Sequence, residues 1–231
     1  MDHGNRVGTS QKIMFYILQK RLFDILVSLI ALILLSPLMV IIAVFVKLNS
    51  NGPILYKGVR TGKNGKKFKI LKFRSMIQDA EQKGGFSTAL NDVRFTSVGR
   101  LLRKYKLDEL PQFFNVLFGE MSLVGPRPQV SFYTDQYLGD ELLILTVKPG
   151  ITDLATLYFN DMDEVLGTVN VDEYYSKVIE PIKNKARIRY VKEKSIILDL
   201  RILIETAFLI FGVKNVTGLS IPDLSPERFN E

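Results

Sequence analysis

Asp108 and Glu109 stand side by side in a stretch otherwise rich in basic residues: Arg100, Arg103 and Lys104 precede them and Arg127 follows. Adjacent carboxylates can divide labour, one attacking as a nucleophile while the other holds a divalent cation. Arginines close by would bind and neutralise phosphate oxygens with their forked donors. That combination suits phosphoryl transfer, where positioning and charge stabilisation supply most of the catalysis. A structural reading stays open beside it: Asp108 could cap a helix from Glu109 to Phe118, with Pro111 in its first turn and Glu109 favouring the helix dipole. Capping and catalysis are not exclusive. Other chemistries are closed off, because the chain has no Cys and its single His3 lies in a polar leader, so thiol chemistry, a His-based triad and a His-rich metal site are excluded.

The elements that must position these residues follow from pattern. Ile54 to Arg60 and Lys67 to Arg74 read as two strands joined by Gly62-Lys63-Asn64-Gly65. Ser75 to Lys83 reads as a short helix ended by Gly84-Gly85, and Phe86 to Asn91 as a polar loop. Val98 to Tyr105 is helical, Leu107 to Pro111 interrupts it, and Gln112 to Phe118 resumes. Ser122 to Pro128 must be extended, because two prolines in three positions forbid a helix. Gln129 to Tyr137 is expected to be helical, with a turn at Lys148-Pro149-Gly150. Asp172 to Ile179 and Ala186 to Phe211 are also helical, the latter broken near Lys194-Ser195. Ser195 to Val213 is nearly as apolar as a membrane span, but Asp199, Arg201 and Glu205 argue against spanning. The segment is expected either to lie in a membrane interface or to be buried against the domain.

The N-terminal quarter is of another kind. Leu22 to Leu48 is a long apolar run, without a charge from Leu26 to Val46, long enough to cross a bilayer as a helix. It is too long for a secretory signal, and no small-residue cleavage site follows it. Ser36-Pro37 falls near its centre, where proline removes a donor and bends or breaks the helix. Both flanks are basic: Lys20 and Arg21 before, Lys47, Lys57, Arg60 and Lys63 after. Equal sign at both ends suits a segment that dips in and returns to the same face; a kinked single-pass anchor and a buried soluble helix are the alternatives. Asp24, one turn inside the apolar boundary, has Lys20 and Arg21 in reach as ion-pair partners.

Net charge is +7 and unevenly spread. From Lys47 to Arg74 nine positives occur with no acid between them. Such a block next to an apolar segment is attracted to anionic lipid headgroups, and it could also hold substrate phosphates. Phe68 and Phe73 could stack bases, but no nucleic-acid-binding motif is present, so nucleic acid is not expected as a partner.

Several blocks together carry a resemblance. They are Lys20-Arg21-Leu22-Phe23-Asp24, Lys72-Phe73-Arg74-Ser75-Met76, Asn91-Asp92-Val93-Arg94-Phe95-Thr96 and Gly99-Arg100-Leu101-Leu102-Arg103, then Leu107-Asp108-Glu109-Leu110-Pro111-Gln112 and Gly119 to Pro128. In this order they resemble the bacterial sugar transferase family, the small monotopic phosphoglycosyl transferases, from about Lys20 to about Phe211. The resemblance implies transfer of a sugar-1-phosphate from a UDP-sugar to a polyprenol (undecaprenyl) phosphate, with release of uridine monophosphate through a phosphoaspartyl sugar. Such a step initiates a surface glycan such as a capsule, lipopolysaccharide or exopolysaccharide. It implies Asp108 as nucleophile, Glu109 as ligand of Mg²⁺, Arg103, Arg127, Lys72 and Arg74 as phosphate binders, and Ser36 and Pro37 as the break of a re-entrant helix.

The fold expected is α+β and monotopic: a leader at 1–19, a re-entrant broken helix at 20–48, a cytoplasmic domain with a β-hairpin and several helices at 49–213, and a tail at 214–231. The expected place is the cytoplasmic face of the bacterial inner membrane, and a homodimer is one assembly open to it. A non-enzymatic lipid-binding adaptor is the alternative function. After Lys148-Pro149-Gly150-Ile151-Thr152 the family commonly continues with Gly and a run ending in Asn-Gly-Arg. Here the chain reads Asp153-Leu154-Ala155-Thr156-Leu157-Tyr158-Phe159-Asn160, which points to a changed sugar pocket.

Overall fold

Helix α1 (His3–Asn49) runs without interruption through the whole apolar segment, with Pro37 inside it. The sequence predicts a bend or break at Ser36-Pro37; the helix runs on through both residues, so the break is not seen. The reason is local. Pro37 cannot donate to the carbonyl one turn back, that of Ile33, and the Ser36 hydroxyl donates to that oxygen instead at 2.8 Å. The structure is a computed structural model that describes residues 3–80, 92–159 and 171–219. Gly84-Gly85, the loop 86–91, Asn160 and the end of the tail lie outside the described residues.

Both ends of α1 are fastened to the same domain. Near its start, Phe23 and Val27 pack against the main core, which is built on Val116, Met121, Leu123, Val124, Ile179, Ile182 and Ile202. Near its end, Ile42 and Val46 form a second core with Phe73 and Leu102. Between them Leu29, Ile30, Ile33, Leu34, Leu38, Val40 and Ile41 are exposed. An apolar row of this length needs a non-aqueous environment, and the helix is compatible with membrane association.

The polar residues at the start of α1 work across the fold rather than along the helix. Asp24 accepts from Ser122 Oγ at 3.1 Å and from the Leu123 N–H at 3.0 Å. Lys20 pairs with Asp199 Oδ2 at 2.6 Å. Arg21 donates to the carbonyls of Val116 and Leu117 at 2.6 and 2.8 Å. The expected Asp24 pairing with Lys20 and Arg21 is therefore replaced by three separate tertiary links. Each of them satisfies a group that burial would otherwise penalise.

Strands β1 (Leu55–Thr61) and β2 (Lys67–Phe73) form the expected antiparallel hairpin, Leu55 opposite Phe73 and Thr61 opposite Lys67. The expected helix from Ser75 is absent over the residues described. Met76 instead bridges Phe95, and the Ser75 carbonyl accepts the Thr96 N–H at 3.1 Å. Helix α2 (Ser97–Lys104) starts on a Thr96 cap, whose hydroxyl accepts from the Gly99 N–H at 2.9 Å. Helix α3 (Gln112–Phe118) follows, closed by Gly119 at φ 87°.

The extended stretch after α3 contains β3 (Ser122–Val124), which pairs in parallel with β4 (Gly150–Thr152). The expected turn at Lys148 to Gly150 thus leads into a strand. A Cβ on Gly150 would collide with the backbone of Gly125, and one on Gly125 with the Lys148 carbonyl. Glycine at both points lets the two segments touch backbone to backbone. The expected helix at Gln129 to Tyr137 shrinks to α4 (Ser131–Thr134).

The chain then continues through a 3₁₀ segment (Gly139–Thr146), α5 (Leu154–Tyr158) and α6 (Val171–Tyr174). A π-helical turn (Tyr175–Ile179) leads into α7 (Glu180–Glu193) and α8 (Ile196–Leu209). The break between the last two falls where the sequence places it, and Ser195 caps α8 by accepting from the Leu198 N–H at 3.2 Å. α8 resolves the reading of its segment by facing both ways. Asp199, Ile202, Glu205 and Leu209 are buried, while Ile197, Leu200, Ile204 and Phe208 are exposed. The architecture is α+β.

Candidate active site

The acidic pair sits on a reversal of the chain between α2 and α3. Lys106 takes a left-handed conformation, φ 55°, and Leu107 to Glu109 form a single 3₁₀ turn. Pro111 holds the N-cap position of α3 with no side-chain cap, so Asp108 is not a capping residue. It is buried, at 6 % exposure, without the role that the structural reading assigns to it.

Asn115 brings the basic strand to this turn. It accepts the Leu71 N–H at 2.9 Å and donates to the Lys69 carbonyl at 2.8 Å and to Glu120 Oε2 at 2.7 Å. A buried amide with donors and acceptor all engaged ties α3 to the edge of β2. Lys72, the next residue along the strand, then donates to Glu109 Oε1 at 2.8 Å.

Arg127 closes the site from the other side. Its Nη1 donates to Glu109 Oε2 at 3.1 Å and its Nη2 to Glu109 Oε1. Its own backbone N–H donates to Asp153 Oδ2 at 2.9 Å, and its Nη1 reaches the Ile151 carbonyl at 3.3 Å. Asp153 also caps α5, accepting from the Thr156 N–H at 2.6 Å. Arg103 lies over the Phe95 ring at 5.0 Å from its centroid, within electrostatic reach of Asp108.

Of the six residues the sequence assigns to catalysis and phosphate binding, Asp108, Glu109, Arg103, Lys72 and Arg127 converge. Arg74 does not. It donates to the carbonyls of Pro53, Val46 (3.2 Å) and Ser50 (2.6 Å), and to Ser50 Oγ at 2.9 Å, holding the chain where α1 ends. Lys72 and Arg74, two residues apart, would share a face if the strand continued, but β2 ends at Phe73 and Arg74 lies beyond it. Asp153 is the residue that sequence reasoning missed as a site member. Its one local signal is the N-cap spacing to Thr156.

Electrostatics separate the two carboxyls. Burial raises Asp108 above the usual range, with Lys72 pulling down, Glu109 pushing up, and Arg103 and Arg127 pulling down. Burial also acts on Glu109, but Arg127 and Lys72 overcome it and hold its carboxyl well below the usual range. Arg127 is raised in turn, mainly by Glu109. Titratable neighbours driven in opposite directions mark a division of roles.

Among the described residues no group of three or more Asp, Glu, His or Cys side chains could by itself cage a metal ion. Asp108 and Glu109 are hard oxygen donors, and Glu109 is kept ionised. Mg²⁺ is commonly held by one or two carboxylates with water and substrate phosphates completing its shell, so this donor set fits Mg²⁺ in company with a phosphate ligand.

Comparison with known proteins identifies the family. Residues 15–213 match the family described as bacterial sugar transferase. The chain is 43 % identical over 192 residues to the UDP-glucose:undecaprenyl-phosphate glucose-1-phosphate transferase of Klebsiella pneumoniae, covering 82 % of this chain and 39 % of that protein. It is 42 % identical over 181 residues to the UDP-N-acetylgalactosamine-undecaprenyl-phosphate N-acetylgalactosaminephosphotransferase of Aeromonas hydrophila, covering 76 % and 43 %. The exopolysaccharide production protein PSS of Rhizobium leguminosarum bv. phaseoli is 39 % identical over 198 residues, covering 81 % and 92 %. The chain thus spans less than half the length of the first two of these relatives and nearly all of the third.

Proposed function

The chain belongs to the bacterial sugar transferase family, and we propose that it transfers a sugar-1-phosphate from a UDP-sugar to undecaprenyl phosphate, starting a glycan on its lipid carrier. The observation that carries this reading is the pairing of a buried, charge-flanked Asp108 with a Glu109 held ionised by Lys72 and Arg127. The relatives named for this reaction differ in their sugar, so the donor is assigned here only as a UDP-sugar.

In the reaction proposed, an Asp108 carboxylate oxygen attacks the phosphorus that bears the sugar. The bond from that phosphorus to the bridging oxygen breaks, and uridine monophosphate leaves with the electron pair. An oxygen of the lipid phosphate then attacks the same phosphorus and frees Asp108, giving the diphosphate-linked lipid sugar. A carboxylate is repelled by a diphosphate, so the step requires cations around the phosphates. Arg127, Lys72 and Arg103 stand where they can supply them. Mg²⁺, held by Glu109 with Asp108 beside it, would add charge neutralisation and Lewis-acid polarisation of the phosphoryl oxygens when bound.

The proposed place is the cytoplasmic face of the inner membrane, where a soluble donor and a lipid acceptor meet. α1 is proposed to enter the bilayer and return, bending at Ser36-Pro37. What supports this is that residues from Lys20 to Val27 and from Ile42 to Asn49 bind one domain while Leu29, Ile30, Ile33, Leu34, Leu38, Val40 and Ile41 between them are exposed, with Leu32 buried on the other face. Along an unbent helix the twenty-two steps from Asp24 to Val46 would span roughly 33 Å.

The decisive assay is uridine monophosphate release by the solubilised protein with Mg²⁺, undecaprenyl phosphate and a panel of UDP-sugars. Multiple-turnover release that requires the lipid and disappears in Asp108→Asn supports the reaction and identifies the donor; without the lipid, release is expected to stop at one equivalent per enzyme. Multiple turnovers without the lipid, or release retained in Asp108→Asn, reject the scheme.

A further inference from the structure

Among the described residues, one cation close to the segment that carries Arg127 and Asp153 has no carboxylate to itself. Lys183, in the first turns of α7, is partly buried with its Nζ 5.0 Å from the Tyr175 ring centroid and 5.5 Å from that of Phe159. The nearby acids are engaged elsewhere. Glu180 accepts from Arg187 at 2.8 Å, from the Tyr137 hydroxyl at 3.1 Å and from Gln129 at 3.2 Å. Asp153 accepts from the backbone N–H groups of Arg127 and Thr156 and lies 3.7 Å from Arg187. Two aromatic faces recover only part of what an ammonium loses when it leaves water.

Arg187, one turn further along α7, lies 3.7 Å from Asp153, whose Oδ2 accepts the Arg127 N–H at 2.9 Å. Arg187 and Arg127 act on Lys183 as repelling charges and Glu180 and Asp153 as attracting ones. Burial first and Arg187 second depress its ammonium to about 7. Phe159, one of its two rings, closes the Asp153 to Phe159 segment in which the chain leaves the pattern of its family. Lys72 and Arg127 both spend donors on Glu109, and Arg187 spends its own on Glu180 and Asn184. Among the described residues no acceptor is hydrogen-bonded to the Lys183 ammonium.

We propose that Lys183 is a donor-binding residue whose ammonium takes a phosphate oxygen of the nucleotide sugar beside Arg127, held in place by the Phe159 and Tyr175 rings. The assignment rests on the transfer reaction proposed above only for the identity of the nucleotide. A lysine ammonium binds phosphate as a point charge on a flexible stem, so the two rings supply the orientation that the side chain lacks.

The test is differential acylation. The full-length solubilised protein is treated at pH 7 with an N-hydroxysuccinimidyl ester, and modification of Lys183 is quantified by peptide mass spectrometry, alone and with UDP, inorganic pyrophosphate or undecaprenyl phosphate. UDP and pyrophosphate are expected to protect Lys183 severalfold, in wild type and in Asp108→Asn alike, because protection does not depend on turnover. Unchanged modification with UDP, or protection by undecaprenyl phosphate alone, overturns the donor assignment.

Kinetics gives the second arm. Lys183→Met is expected to raise the donor KM about tenfold, the loss of one charge-assisted contact, with kcat little changed, and Lys183→Arg to restore most of it. A fall in kcat at unchanged KM would mean a structural lysine and reject the proposal. UDP protection in a protein that transfers no sugar would instead reject the reaction and leave the nucleotide site standing.

Discussion

Arg127 and Glu109 face each other across eighteen residues of chain, the guanidinium engaging both carboxylate oxygens, with Nη1 to Oε2 at 3.1 Å. Lys72 meets the same carboxylate from the strand at 2.8 Å. Glu109 is therefore the point at which the β-hairpin, the acidic turn and the segment after β3 are joined. It is also the residue proposed to hold Mg²⁺, so the contacts that shape the resting site are those a substrate phosphate would share.

Removing Arg127 should cost stability as well as activity. In Arg127→Ala a mostly buried Glu109 keeps only Lys72, and breaking a buried pair from one side costs about 3 kcal/mol. The Glu109→Gln, Arg127→Ala double variant should recover much of that loss while remaining inactive. Thermal or denaturant unfolding of the four proteins in one detergent checks this; additive losses would argue against a coupled pair.

Asp108→Asn should leave the fold unharmed. The side chain is buried and burial raises its carboxyl, so a neutral isostere removes a charge that the fold does not favour. Activity should fall by about a thousandfold or more, the usual consequence of losing a nucleophile. A variant that is unfolded rather than inactive would show that Asp108 has a structural duty instead.

Lys20 should matter through Asp199. That carboxylate is 1 % exposed, and it accepts from Lys20 at 2.6 Å and from the Tyr190 hydroxyl at 2.7 Å. Lys20→Met leaves it with hydroxyl partners alone, at a cost of about 3 kcal/mol, and Asp199→Asn on that background should regain part of it. The midpoint of thermal unfolding reads both effects. If Lys20→Met matches wild type, the link between α1 and α8 contributes nothing.

Topology can be read directly because the chain has no Cys. Gln11→Cys and Lys63→Cys, made one at a time, should react with a membrane-impermeant maleimide from the same side of sealed vesicles. Reaction from opposite sides would make α1 a single-pass anchor and remove the bend.

Stability should climb with pH above neutrality. The Lys183 ammonium is depressed from its usual 10.5 to about 7 by burial, then by Arg187, with Glu180 and Asp153 opposing and Arg127 adding to the depression. Between those values the unfolded chain carries a proton that the folded chain lacks, so unfolding becomes harder as pH rises from about 7 to about 10. Below that window the folded chain must hold the charged lysine, and this part of the stability is lost. Lys183→Met should flatten the profile, measured as unfolding midpoint at stepped pH; equal slopes in the two proteins would refute the depressed lysine.

What the amino-acid order determined by itself is what neighbours within one or two turns decide. Ser36-Pro37 shows this: the missing Pro37 donor and the Ser36 hydroxyl that replaces it are both local, as are the α7–α8 break capped by Ser195 and the extended run through Pro126 and Pro128. The acidic turn was legible because Asp108 and Glu109 are adjacent and flanked by cations in sequence as well as in space. Only the tertiary structure decided which cation meets which carboxylate. Lys72 and Arg74 lie two residues apart with similar sequence claims on phosphate, yet one joins Glu109 and the other ties down the end of α1. Asp24 and Lys20 look like partners along a helix, yet Asp24 accepts from Ser122 and Lys20 pairs with Asp199. A buried charge is satisfied by whichever donor the packed core brings to it. That choice is made by contacts between elements far apart in the chain, where spacing carries no information.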